Sequence, residues 1–150
     1  MPPEFTISGR VSRPVHEVFE AVADPAVLSK YFTTGGAVGR LATGTTVTWD
    51  FADFPGAFPV KVVEVVQDQR IVLQWQAAGS GDDPYDTTVI FEFSALEDGR
   101  TLVSITERGW RDDDSGRAAS YGNCQGWTGM LCALKTWVEH GINLREGFYI

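Results

Sequence analysis

Histidine and cysteine are scarce: the 150 residues hold two of each. His16 and His140 both fall on polar faces of expected helices, and no third partner lies near either. The sequence therefore assembles neither a nucleophile–base–acid triad nor a zinc site. Cys124 and Cys132 share one expected helix about two turns, or ~12 Å, apart. That exceeds disulfide reach, so both are expected as free thiols. No apolar run is long enough to span a bilayer, and Met1-Pro2-Pro3-Glu4 does not open a signal peptide, so a cytoplasmic location is expected. Basic residues are few, 12 against 20 acidic ones, for a net charge of −8. Such a chain repels phosphate backbones and anionic lipid, so neither nucleic acid nor a membrane is an expected partner. Asp112-Asp113-Asp114 lacks the alternating oxygen ligands of a calcium loop. Gly35-Gly36 with Gly39 lacks the strand before it, and the lysine and hydroxyl after it, of a phosphate loop. No metal and no cofactor are expected. Internal repeats, low-complexity segments and linkers are also missing, which leaves one domain over residues 1–150.

What the chain does have is a long amphipathic stretch from Ser115 to Gly141. Trp127, Met130, Leu131, Leu134, Trp137 and Val138 share one helical face, and Lys135, Thr136, Glu139 and His140 take the other. At 1.5 Å per residue, roughly 25 residues span nearly 40 Å, so this helix needs an extended surface to lie on. The remaining sequence supplies strands. Glu4 to Val11 is the first. Two short helices follow, one opened by Ser12-Arg13-Pro14 and carrying Val15, Val18, Phe19 and Val22, the other opened by Asp24-Pro25 and carrying Val27, Leu28, Tyr31 and Phe32. Thr33 to Gly36 is a loop. From Leu41 the period becomes two: Val47, Trp49 and Phe51 alternate with polar residues. Ala52 to Ala57 is a turn, and Phe58 to Val66 is a strand with apolar residues on both faces, which suggests a bulge or a covered outer face. Strands at Ile71 to Gln76, Tyr85 to Leu96 and Thr101 to Arg108 follow, the last two joined by a hairpin turn at Glu97-Asp98-Gly99-Arg100. The order predicts an α+β fold: a curved antiparallel sheet wrapped around a long C-terminal helix, with two short helices near the N-terminus.

Gly126-Trp127-Thr128, then Leu131, Leu134-Lys135 and Val138-Glu139, resemble the C-terminal helix of bacterial homologues of the activator of the heat-shock-protein-90 ATPase. Pro14-Val15-His16-Glu17-Val18-Phe19 with Asp24-Pro25 resembles the first helical segment of that family. Gly99-Arg100-Thr101 leading to Thr106-Glu107-Arg108-Gly109-Trp110 resembles its last hairpin. The chain departs from the pattern at Tyr31-Phe32, where a tryptophan is expected. The resemblance implies the helix-grip fold of the START-like (SRPBCC) superfamily. It implies function less firmly, because members include binders of small apolar molecules, cyclases and hydrolases.

Candidate site residues come from three patterns. Toward the N-terminus of the long helix, the face of Trp127 and Leu131 continues through Cys124, Asn123 and Ser120, turning from apolar to polar. Either this end frays into solvent or it lines a cavity that satisfies the amide, since a buried unpartnered amide costs about 1–3 kcal/mol. Glu107 shares strand parity with Val103 and Ile105. It either points inward, where desolvation raises a carboxyl pKa and suits it to acid–base work, or pairs with an arginine at the strand end. Trp49, Trp75 and Phe91 are aromatic walls of a pocket or simply core. A further stripe of small residues, Ala118, Gly122, Gly126, Gly129 and Ala133, suggests close approach of a covering loop or a second subunit, unless these are tolerated glycines on an open face. Three functions follow, in this order: binding of a small, largely apolar ligand between sheet and helix; a cyclase- or hydrolase-type enzyme with Glu107 as acid or base and Asn123 orienting substrate; a chaperone-linked interaction module. The chain is expected as a monomer or homodimer.

Overall fold

The computed structural model describes Met1–Ile150. In chain order the elements are β1 (Glu4–Val11), α1 (Val15–Ala23), α2 (Pro25–Leu28), β2 (Gly36–Val38), β3 (Thr46–Phe51), β4 (Phe54–Val66), β5 (Arg70–Gln76), β6 (Asp86–Ala95), β7 (Thr101–Arg108) and α3 (Asp114–His140). The seven strands form one antiparallel sheet in the order β1-β7-β6-β5-β4-β3-β2. Because β1 pairs with the last strand, the chain crosses one end of the sheet before the meander begins, and α1 and α2 make that crossing. The expected α+β architecture is the observed one.

Period-two alternation places Trp49, Leu73, Phe91 and Ile105 on one buried face. The apolar stripe of α3, from Trp127 through Leu134, closes over it. Both ends of α3 are fixed by local chemistry. The Asp113 carboxylate accepts from Gly116 N–H at 2.7 Å, and Asp114 complements the dipole in the first turn. At the other end Gly141 adopts φ 68°, a left-handed cap that a side chain would strain.

Glu139 ties the end of α3 to the end of β1. It accepts from Lys135 Nζ at 2.6 Å and from the Ser12 backbone N–H at 2.9 Å. Burial works to raise its pKa, but the lysine and the backbone donor outweigh it and hold the pKa below the usual glutamate value. A carboxyl with a depressed folded-state pKa stabilises while ionised, and that stability is lost as pH falls through the folded pKa. Glu139→Gln should therefore cost about 1 kcal/mol near neutral pH. In urea unfolding at a series of pH values, variant and parent should converge as pH drops below the unfolded value of about 4.5.

Several elements differ from expectation. Ser12 does not cap α1; its N–H is spent on Glu139, and no side chain caps that helix. The second short helix ends at Leu28, and past it the N–H groups of Tyr31, Phe32 and Thr33 all converge on the Leu28 carbonyl instead of advancing one carbonyl per residue. Gly36–Val38, expected partly as loop, pairs with β3 as a short edge strand. The expected turn at 52–57 shrinks to Ala52 and Asp53, since Phe51 already pairs with Phe54. Pro55 and Pro59 are tolerated inside β4 because β5 joins it only from Lys61 onward, leaving that side of the strand unpaired. The suspected bulge is present: register shifts between Val62 and Glu64.

Candidate functional site

Alternation along β7 turns Val103, Ile105 and Glu107 toward the interior. Glu107 is 0% exposed, so its carboxylate must find in the protein what water would give it. Four side chains from β5, β6 and α3 do so. Trp75 Nε1 and Thr87 Oγ1 donate to Oε2 at 2.9 and 2.6 Å. Trp127 Nε1 donates to Oε1 at 2.8 Å. Asn123 Nδ2 reaches both oxygens, at 2.9 and 3.1 Å. An ionised carboxylate only accepts, at about four lone-pair positions, which suits this set of donors.

Trp75, Asn123 and Trp127 also line an open cleft of about 580 Å³ between the N-terminal half of α3 and the β3–β4 hairpin. Phe32, Phe51 and Phe54 complete its aromatic walls, and Gly122 and Gly126 leave the helix side bare. The rings brace one another: Trp75 and Trp127 centroids are 5.3 Å apart, and Phe32 and Phe51 5.0 Å. Residues 141–150 close one side of the cleft. Arg145 forks onto Asp53, with Nε–Oδ2 at 2.9 Å and Nη2–Oδ1 at 3.0 Å, and lies over the Phe51 ring at 4.5 Å. This pair is largely out of solvent, which favours a fixed bidentate geometry. A second depression of about 590 Å³ adjoins the cleft and shares Trp75, Ala78 and Asn123 with it.

The family model described as Activator of Hsp90 ATPase homolog 1-like protein matches residues 12–139. The chain belongs to this family. Among solved structures, protein SSP2350 from Staphylococcus saprophyticus superposes with a TM-score of 0.79 at 25% identity, covering 95% of this chain and 96% of that one. The Aha1 dimer from Colwellia psychrerythraea gives 0.73 at 19% identity, covering 93% and 98%. DynU16, from the dynemicin biosynthetic locus, gives 0.78 at 23% identity, covering 93% of this chain and 48% of DynU16. The first two match over nearly their full length and share the helix-grip fold. No protein with a curated description matches.

This Aha1-like chain brings only part of the expected residue set together. Glu107, Trp75, Asn123 and Trp127 converge as described. Trp49 and Phe91 are fully buried and form core beneath the cleft rather than its wall. Ser120 is buried, and its hydroxyl donates to the Arg117 carbonyl of its own helix. Cys124 opens instead onto a second cavity, about 530 Å³, on the solvent side of α3. Leu131 lies against Gly9 of β1, bordering a small depression of about 190 Å³. The space is thus an open cleft at one shoulder of α3. The Glu107 carboxylate does not border the cleft, and both its oxygens are engaged by protein donors.

The small-residue stripe divides. A Cβ at Gly129 would run into Tyr149 Oη, so the C-terminal segment is the covering loop at that point. At Gly122 and Gly126 a Cβ meets nothing. Phe51, Phe54, Arg145 and Tyr149 also line the cleft and are not among the residues expected there. The available signal was the Leu144-Arg145 and Phe148-Tyr149 cluster just past a helix stop. Both cysteines are free, both histidines lie at the surface, and no three His, Cys, Asp or Glu side chains converge on a metal-sized position. No helix is long and apolar enough to cross a membrane.

Proposed function

We propose that the chain binds one small, largely aromatic molecule in the cleft between α3 and the β3–β4 hairpin. The observation that carries this reading is the cleft itself. Its volume of about 580 Å³ falls within the ~300–1,000 Å³ of ligand sites, and its walls are aromatic around a few fixed polar groups. Stability alone does not call for an arrangement in which helix glycines keep one wall bare, since each interior glycine costs roughly 1 kcal/mol against alanine. The Glu107 hub holds Trp75 and Trp127 at fixed angles, so little ordering is needed when a flat ligand arrives. Family membership is compatible with this reading.

N-Phenyl-1-naphthylamine, an apolar fluorescent probe, should saturate at one molecule per chain. Phe54 is 52% exposed, so Phe54→Ala should leave stability nearly unchanged while weakening the probe several-fold through loss of one wall. Absence of saturable uptake by the folded chain would contradict the proposal.

A further inference from the structure

Resting on that reading, we infer that the ligand is a planar aromatic molecule presenting an edge hydroxyl or N–H, which it donates to Asn123 Oδ1. Glu107 acts as the positioning residue that makes Asn123 an acceptor.

The polar groups at the cleft floor are nearly all engaged by Glu107. Both tryptophan N–H groups there, Trp75 Nε1 and Trp127 Nε1, are spent on Glu107. Asn123 Nδ2 is spent on the same carboxylate, on both oxygens. A carboxylate accepts and does not donate, so the amide cannot turn its oxygen toward Glu107 without losing these bonds. The amide orientation is thereby decided. Oδ1, on the opposite side of the planar group, accepts no hydrogen bond from any protein donor, and Asn123 lines both the cleft and the depression beside it. Exposed Gln125 and the Tyr149 hydroxyl also line the cleft, but among the side chains held by Glu107 what remains is aromatic faces and one acceptor, with the donors already committed. Arg145 does not alter this at the floor, because its guanidinium sits on the closing segment with Nε and Nη2 on Asp53.

A ligand lying over Asn123 strips water from Oδ1. If the ligand donates, the acceptor is satisfied; if it cannot, the acceptor is left bare. One hydrogen bond to an otherwise desolvated acceptor carries about a tenfold preference.

2-Naphthol and 2-methoxynaphthalene share a ring system and differ in the donor. Titrated into the full chain by calorimetry, 2-naphthol should bind about tenfold tighter. In the folded fraction of Glu107→Gln, where the amide at 107 no longer dictates which way Asn123 faces, that ratio should fall toward one. A purely structural role for Glu107 would weaken both compounds alike and leave the ratio intact, which would overturn the positioning role. If the variant does not fold, the parent decides: at saturation the Asn123 side-chain amide resonances should shift further with 2-naphthol than with 2-methoxynaphthalene, beyond the ring-current shift that the shared ring system gives both. Equal affinity for the two compounds, or equal shifts, would overturn the donor requirement while leaving the binding site standing. Failure of both compounds and of N-phenyl-1-naphthylamine to bind would remove the site itself.

Discussion

Glu107→Gln should lower the unfolding free energy by about 3 kcal/mol, a large effect for a change that leaves side-chain volume almost untouched. The reason is that neither orientation of the new amide suits its neighbours. With the NH₂ group at the Oε1 position, it faces Trp127 Nε1; at the Oε2 position, it faces Trp75 Nε1. An indole N–H is a donor only and has no alternative role. Thr87 can rotate its hydroxyl to accept, but no rotation rescues a tryptophan. In either case one indole N–H, that of buried Trp127 or half-buried Trp75, loses its acceptor and confronts another donor. Urea unfolding at neutral pH measures the loss, and a change below about 1 kcal/mol would show that the four donors do not act as a set.

Gly126→Leu should do the reverse, abolishing ligand uptake without harming the fold. A Cβ at Gly126 meets no heavy atom within 4 Å, and the residue borders the cleft opposite the aromatic wall. A leucine there extends into the space a ligand occupies. In a helix interior leucine is also favoured over glycine by up to about 1 kcal/mol, so thermal stability should hold or rise. Binding of N-phenyl-1-naphthylamine should weaken by at least about tenfold, because the lost space excludes one edge of the ring system. Loss of binding together with gained stability separates the site from the core. Unchanged binding would place the ligand elsewhere.

Where structure is set by neighbours in sequence, the sequence was informative. β1 and β7 are observed over the residues expected, because each is an uninterrupted alternating run. The limits of α3 follow from the Asp113 cap and from Gly141. Strand parity turned Glu107 inward, and helical spacing put Asn123 on the side of Trp127, so the hub's central members could be named. Other features depend on contacts between distant segments. The Arg145–Asp53 pair joins residues 92 apart, and no local pattern marks it. Phe51 and Phe54 face the cleft because the hairpin turns in two residues, where Pro55-Gly56 suggested a longer loop. Trp49 and Phe91 share the inward parity of real wall residues. What separates them is depth, which depends on how the sheet curves. Glu107 was legible in position but not in role, since the four donors around it arrive from three separate elements.

The location of the bound molecule is the most direct test. Two cavities flank α3, and the closing residues Arg145 and Tyr149 border both. Intermolecular nuclear Overhauser effects from bound N-phenyl-1-naphthylamine distinguish them. Contacts to the rings of Phe51, Phe54, Trp75 and Trp127 are expected. Contacts confined to Tyr121, Cys132 and Phe148 would put the molecule on the solvent side of α3 and contradict the proposal.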